Sequence, residues 1–217
     1  MYRPRRNRLW PALLIVWGVA ITLGIGRLYR YSGTPGASFA QVSRWPAGLP
    51  LRRATRGVTI VMSLHPKCPC SRATIGELAR VMTHGEARVY VLFVRPQGVP
   101  LNWERTELWS AAAAIPGVFV VADDEGAMSR QLGAVTSGHT CAFDESGRLL
   151  FSGGITVARG HAGDNAGSSA LIAILRDGRT DDRTIATSPV FGCSLGWERC
   201  DVPGGIPLPD SAARSEP

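Results

Sequence analysis

The chain has very little lysine, and its first 30 residues contain no acidic side chain. Lys67 is the single lysine, and six of the 24 basic residues lie in that first segment. The rest of the chain therefore balances 18 basic against 17 acidic side chains. A nearly neutral domain has no cationic surplus with which to hold phosphate backbones, so we expect no nucleic-acid binding.

The motifs of several enzyme classes are also missing. We find no phosphate-binding glycine loop, no Ser-His-Asp spacing, no zinc-protease motif and no long internal repeat. Hydrophobic residues make up 45% of the 217 residues and charged residues 19%, which is typical of a globular domain. The candidate chemistry therefore lies with the cysteines and their neighbours.

One long charge-free stretch is present, at residues 9–26 (LWPALLIVWGVAITLGIG). Its 18 residues approach the ~20 that a membrane-spanning helix needs. Four arginines precede it and two follow it, which predicts a cytoplasmic N-terminus and a main domain on the periplasmic side of a bacterial inner membrane. The alternative is a signal peptide cleaved near residues 38–40, although a signal's apolar region usually spans only about 7–15 residues. Both interpretations place the domain outside the cytoplasm.

The apolar pattern divides the rest of the chain into alternating strands and helices. Predicted strands cover residues 58–64, 88–94, 118–122, 140–143 and 149–152, and predicted helices cover 71–83, a stretch ending near 114, 123–133 and 168–176. This order predicts an α/β domain, with a mixed sheet flanked by helices. The predicted division is an anchor with a basic flank at 1–30, a Gly/Pro/Ser-rich linker at 31–50, the α/β domain at 51–180 and an irregular tail at 181–217.

Five cysteines lie outside the anchor: Cys68, Cys70, Cys141, Cys193 and Cys200. An oxidising compartment favours disulfides, and the odd number leaves at least one thiol free, metal-bound or intermolecular. Cys141 lies in a predicted central strand, which indicates a packing role. Cys193 lies in an apolar patch of the tail, and it either closes a small loop with Cys200 or returns to the Cys-Pro-Cys turn.

Cys68-Pro69-Cys70 lies at a strand-to-helix turn, where free N–H groups lower a thiol pKa. Lys67 adds positive charge, and His65 offers a proton partner. The pattern predicts thiol–disulfide chemistry with Cys68 as nucleophile and Cys70 as resolving thiol, without a cofactor. The partner is then a protein thiol or disulfide, or a periplasmic electron carrier.

The same turn also offers a set of soft metal ligands. Two thiolates and an imidazole from Cys68, Cys70 and His65 suit Cu(I) or Zn(II), so copper binding is the alternative hypothesis. His139 or His161 would then be a more distant ligand. A third hypothesis is an adaptor that keeps the fold without the chemistry.

Three segments resemble a known family: VTIVMSLHPKCPCSRATIGEL, GVFVVADDEGAMSRQLGAV and TCAFDESGRLLFSGG. The chain resembles the membrane-anchored thioredoxin-like proteins of bacterial envelopes, of the cytochrome c maturation (TlpA- and ResA-like) type. The resemblance implies a thioredoxin-like fold with an N-terminal transmembrane helix and thiol–disulfide exchange.

The family usually shows Cys-x-x-Cys followed by Arg, and this chain departs from that pattern. Matching Arg72 to the family's arginine puts Cys68 at the nucleophile and Ser71 at the second cysteine. The other register puts Lys67 at the first position and Cys70 at the second. The family's proline that faces the cysteines is replaced by Ser137-Gly138, so the resemblance implies supporting roles for these residues.

The glycine-rich loop 153–165 follows the last predicted strand, on the edge of the sheet that carries the cysteine turn. Its glycines permit close backbone approach to a partner. Arg159 and His161 in this loop either face the cysteines or bind an acidic ligand, or the loop is a flexible connector. We further expect Glu77 to be solvated, and Trp103 and Trp109 to pack the second helix on the sheet.

Overall fold

The computed structural model describes residues 9–37, 42–177 and 184–196. Helix α1 covers Leu9–Ser32, six residues beyond the predicted charge-free stretch. Its segment Trp10–Ser32 is long and apolar enough to cross a membrane, and none of it is buried against the rest of the chain. An apolar surface of this size needs a cover, and a bilayer is one that its length fits.

The six strands form one mixed sheet. They are β1 Val58–Leu64, β2 Ala87–Arg95, β3 Val118–Asp124, β4 His139–Phe143, β5 Leu149–Gly153 and β6 Ala186–Thr187, in the spatial order β3-β2-β1-β4-β5-β6. Strand β2 is parallel to both β1 and β3. Strand β4 is antiparallel to β1 and to β5, and β6 is parallel to β5.

Four helices connect and flank these strands: α2 Ser71–Met82, α3 Glu107–Ala113, α4 Ala127–Gln131 and α5 Ala166–Asp177. Parallel crossovers closed by an antiparallel hairpin and a last helix form a thioredoxin-like α/β fold, so the predicted fold class is confirmed. Strand β6 lies inside the segment that the sequence predicted to be irregular. The C-terminal segment therefore contributes to the sheet.

The central strand β1 is buried along its whole length, because both faces of the sheet are covered. On one face Ile60 and Met62 pack with apolar residues of α2 and α5, including Leu78 and Leu171. On the other face Val61 packs in a second cluster that also contains residues of α4. The end of β1 therefore emerges from the middle of the sheet, and the cysteine turn begins there.

Candidate thiol site

The cysteine turn links the end of β1 to the start of α2. The backbone N–H of Cys68 donates to the carbonyl of His65 (3.1 Å), and that of Ser71 donates to the carbonyl of Cys68 (3.1 Å). Cys70 precedes α2 without capping it through its side chain. The thiols therefore lie at the N-terminal end of α2, where the helix dipole favours negative charge. Cys68 is 2% exposed, whereas Cys70 is half-buried.

A third thiol reaches this turn from the C-terminal segment, residues 184–196. The sulfur of Cys193 lies 3.0 Å from the sulfur of Cys68. The sulfurs of Cys68, Cys70 and Cys193 all lie within 4.8 Å of one another. Of the two sequence alternatives for Cys193, the structure shows the return to the cysteine turn, while Cys200 lies outside the described residues.

Glycines make this return of the chain possible. A Cβ on Gly192 would overlap the carbonyl oxygen of Ser137, and Cβ atoms on Gly153 and Gly154 would overlap the backbone of Ser188 and Pro189. The close approach that the sequence predicts for the 153–165 loop is thus made by the chain's own C-terminal segment.

Burial and hydrogen bonds shift the pKa values of the three thiols in different directions. Burial raises the pKa of the Cys68 thiol, but hydrogen bonds from Cys193, from Ser71 and from the backbone N–H of Cys70 outweigh it, so that pKa lies below its ordinary value. Burial, followed by the neighbouring Cys68, raises the pKa of Cys193 to about 12. Burial and the Cys68 charge also raise the pKa of Cys70, although Arg159 offsets part of this. Cys68 is therefore the first of the three to become a thiolate.

A serine pair occupies the positions where the resemblance places the second cysteine and its facing residues. The hydroxyls of Ser71 and Ser137 lie 2.9 Å apart, and the backbone N–H of His65 donates to Ser137 Oγ (2.9 Å). The hydroxyl donors are consistent with a chain of hydrogen bonds. The His65 N–H donates to Ser137, Ser137 donates to Ser71, and Ser71 donates to the Cys68 sulfur. Gly138 holds the turn beside them at φ +98°, with its N–H on the carbonyl of Ser63 (2.8 Å).

His65 and Lys67 lie on the solvent side of the turn, against Trp103. The His65 ring meets the Trp103 ring edge-on at 5.7 Å, and Lys67 Nζ lies 4.5 Å from the Trp103 ring centroid. Burial, helped by the Lys67 charge, lowers the pKa of His65, so its imidazole is neutral at neutral pH. Trp103 therefore packs on the cysteine turn and not between α3 and the sheet, which corrects the prediction; Trp109 does pack on Phe93 of the sheet.

The imidazoles lie outside the thiol cluster. His65 Nδ1 accepts the backbone N–H of Lys67 (3.2 Å), His139 Nε2 contacts Ser152 Oγ (2.8 Å), and His161 Nδ1 contacts the carbonyl of Arg159 (2.8 Å). Among the residues that the structure describes, the metal-ligating group with three members consists of the three cysteines. The predicted set of two thiolates and His65 is therefore replaced by a set of three sulfurs.

Arg159 connects the C-terminal segment to helix α1. Its guanidinium donates to the carbonyl of Gly192, next to Cys193, and lies 4.9 Å from the Tyr31 ring centroid. Its backbone N–H donates to the carbonyl of Ser32 at the end of α1 (3.0 Å). Of the two candidates in this loop, Arg159 thus borders the thiol site, while His161 is exposed.

Glu77 is 3% exposed, which corrects the prediction that it is solvated. Its carboxylate accepts hydrogen bonds from Arg80 (2.8 Å) and from the backbone N–H of Gly163 (2.8 Å). The 153–165 loop covers it, and the sequence of α2 alone does not show that cover. Glu77 therefore holds the loop that carries Arg159.

Cys141 lies far from this chemistry, in the apolar cluster that contains Leu92 and Phe143. Burial raises the pKa of its thiol to about 12. The neighbouring His139 has its pKa lowered by burial to about 4. The predicted packing role of Cys141 agrees with this position.

No family model and no curated protein matches the sequence. An uncharacterised conserved protein from Geobacillus kaustophilus aligns with a TM-score of 0.54 and 16% identity, over 77% of this chain and 93% of that chain. A hypothetical protein from Sinorhizobium meliloti 1021 aligns with a TM-score of 0.53 and 19% identity, over 76% of this chain and 96% of that one.

A secreted disulfide oxidoreductase of Mycobacterium tuberculosis, homologous to E. coli DsbE, aligns with 13% identity over 55% of this chain and 82% of that chain. Its TM-score of 0.40 is too low to support an inference about this chain. The proteins from Geobacillus kaustophilus and Sinorhizobium meliloti, with TM-scores above 0.5, share the fold of this chain. The chemistry of the site rests on this chain's own residues.

Proposed function

We propose that this chain is a membrane-anchored thiol–disulfide redox protein whose domain faces the periplasm. One observation carries the proposal: a buried thiol with a lowered pKa, Cys68, lies at a helix start with a second thiol sulfur 3.0 Å away. A thiolate is the species that attacks a disulfide, and a second thiol in reach releases the product.

Thiol–disulfide exchange needs no cofactor, since the electrons pass between sulfurs. Cys68 acts as the nucleophile, and a neighbouring thiol completes the exchange. The partner is a protein cysteine pair or a periplasmic electron carrier that undergoes thiol exchange. Helix α1 supports the location, because its basic flank favours the cytoplasmic side and leaves the domain outside.

The test is a glutathione redox series on the full chain in detergent, with each cysteine mapped by differential alkylation and peptide mass spectrometry. We expect Cys68 to change state at a defined potential, while Cys141 remains a thiol throughout. The control variant Cys141→Ser should exchange like the wild type. Exchange that persists at the wild-type rate in Cys68→Ser would overturn the proposal.

A second candidate function is Cu(I) binding, and the three-sulfur cluster favours it. Three cysteine sulfurs within 4.8 Å of one another offer, once deprotonated, a soft trigonal site of the kind that Cu(I) prefers. Anaerobic titration with Cu(I) against a competing chelator should then show one tight site that is weakened by Cys68→Ser, Cys70→Ser and Cys193→Ser alike. Absence of such a site removes this candidate and leaves redox exchange or an adaptor role.

A further inference from the structure

Two thiols lie beside Cys68, and they differ in how they can bond to it. Cys70 is two residues away along the chain, so a disulfide between the two would close a small and strained ring. Cys193 comes from a different part of the chain, and its sulfur already lies 3.0 Å from Cys68. A small movement would bring those two sulfurs to the ~2.05 Å of a disulfide.

Backbone hydrogen bonds hold Cys193 in this position from both sides. Its carbonyl accepts the N–H of Ser137 (2.8 Å), and the N–H of Leu195 donates to Val135 (2.8 Å). Upstream, the carbonyl of Val190 accepts the N–H of Gly36 (2.8 Å). Leu195 is buried in a small apolar cluster with Val94 and Ala134. The thiol is therefore placed by folded structure, which is the condition for efficient intramolecular attack.

Gly192 lets the segment come this close. Its α-carbon lies against Ser137, where a side chain would overlap the carbonyl oxygen. The guanidinium of Arg159 binds the Gly192 carbonyl and adds a positive charge near the sulfurs. Gly192 therefore supports the close approach of Cys193 in two ways: it has no side chain to overlap Ser137, and its carbonyl accepts a hydrogen bond from Arg159.

The charge on Cys68 determines the order in which Cys68 and Cys193 react. The Cys193 thiol stays protonated because burial and the adjacent Cys68 charge both raise its pKa. When Cys68 enters a mixed disulfide, its charge is lost, and this second cause disappears. The pKa of Cys193 then falls toward the value that burial alone sets, which favours its ionisation for the second attack.

Building on the redox function above, we propose that Cys193, and not Cys70, is the resolving thiol, and that residues 186–195 form a catalytic element. The Cys68 thiolate attacks one sulfur of a partner disulfide. A bond forms between Cys68 and that sulfur, and the partner's other sulfur leaves and takes up a proton.

Cys193 then loses its proton and attacks the Cys68 sulfur. The Cys68–Cys193 bond forms, and the partner's first sulfur leaves as a thiol. Two electrons have passed from the two cysteines to the partner, which is now a dithiol. The reverse sequence oxidises a partner dithiol. Cys68 is only 2% exposed, so a partner disulfide reaches it only when residues around the turn are displaced.

The experiment uses the full chain in detergent and oxidised glutathione as the disulfide probe. In the oxidised wild type and in Cys70→Ser, peptide mapping at acid pH should find a Cys68–Cys193 linkage. In Cys193→Ser, a glutathione adduct on Cys68 should accumulate and last at least 10-fold longer than in the wild type. In Cys70→Ser, the adduct should resolve within about threefold of the wild-type rate.

A glycine pair provides the matched control. Gly192→Ala keeps every thiol but displaces Cys193, so it should accumulate the same adduct as Cys193→Ser. Gly76→Ala adds a methyl group where nothing beyond the neighbouring helix backbone lies within 4 Å, and it should resolve like the wild type. Circular dichroism shows which variants fold. If Gly192→Ala does not fold, the comparison of Cys193→Ser with the wild type tests the role of Cys193.

Three outcomes distinguish a failure of this inference from a failure of the proposed redox function. Adduct accumulation in Cys70→Ser instead of Cys193→Ser overturns the role of Cys193 and leaves the redox function intact. A Cys193–Cys200 linkage in the oxidised protein does the same. If no variant forms an adduct on Cys68, the redox function itself fails.

Discussion

Cys68 and Cys141 are equally inaccessible to solvent, each 2% exposed, yet the pKa of one thiol is lowered and that of the other is raised. Burial raises the pKa of Cys141 to about 12, and one hydrogen bond from Ser152 offsets little of it. Burial also raises the pKa of Cys68, but hydrogen bonds from Cys193, Ser71 and the backbone reverse the direction. The difference lies in the hydrogen-bond donors around Cys68, together with the stronger desolvation of Cys141.

The secondary structure around each thiol explains where the donors come from. Cys141 lies within β4, where the backbone is paired with β1 and β5. Cys68 lies just before α2, where the first helical N–H groups have no partner within the helix. Cys141 therefore has few donors beside it, whereas Cys68 receives hydrogen bonds from Cys193 of the C-terminal segment and from Ser71 and Cys70 at the helix start.

The largest expected contrast comes from replacing each thiol by serine. Cys68→Ser should lower exchange with a disulfide substrate by more than about 100-fold, because it removes the nucleophile. Cys141→Ser should change exchange by less than twofold but lower the free energy of unfolding by about 1–3 kcal/mol, since it buries a hydroxyl in an apolar cluster. Exchange assays and urea unfolding check both, and similar effects of the two variants on exchange would break the comparison.

The next contrast is the pH dependence of alkylation. Cys68 should react with iodoacetamide below the pH at which an ordinary thiol does, and its rate should fall as pH falls through the lowered pKa. Cys141 should stay unreactive until pH approaches its pKa of about 12. At pH 7 the two rates should differ on the order of a thousandfold or more. Denaturation should make the rates equal, and parallel native profiles would contradict the proposed cause.

A smaller effect concerns His139, the buried neighbour of Cys141. Its pKa is about 4, so between pH 6.5 and 4 the unfolded chain binds a proton that the folded chain does not. Stability should therefore fall as pH falls through this window, by up to about 3 kcal/mol. Urea unfolding at pH 7 and pH 4 measures it. His139→Gln should lose this component of the acid sensitivity, and an unchanged pH slope would show that the component arises elsewhere.

The smallest effect should come from Ser71→Ala, which removes one donor to Cys68. We expect the pKa of Cys68 to rise by up to about one unit and alkylation at pH 7 to slow by about 3–10-fold. The exposed Ser110→Ala on α3 is the matched control and should change nothing. If Ser71→Ala leaves the pH profile where it was, the serine pair has only a structural role.

The sequence predicts the fold well wherever local apolar patterns suffice. The run 58–64 is buried on both faces as β1, and the helix predicted from residue 71 begins at Ser71. The cysteine turn follows from these two elements, since it joins them. Local pattern and final structure agree here because the central strand has no alternative way to bury its side chains.

Long-range contacts mark the limit of that prediction. The position of Cys193 was one of two alternatives, because nothing near it in sequence shows what the tail covers. Two local features point to it: an apolar patch in a polar tail and a glycine directly before the cysteine. Glu77 and Trp103 were wrongly placed for the same reason, since a distant loop covers one and the cysteine turn receives the other.

The distance of 125 residues along the chain between Cys68 and Cys193 adds a consequence for folding. A bond between them would close nearly the whole domain into one ring. In the chain-entropy description, such a ring removes unfolded-state entropy worth about 5 kcal/mol at 25 °C. The same free energy, by linkage, favours the bond in the folded state. A partner that takes electrons from this pair would therefore also raise the free energy of unfolding, and one that donates them would lower it.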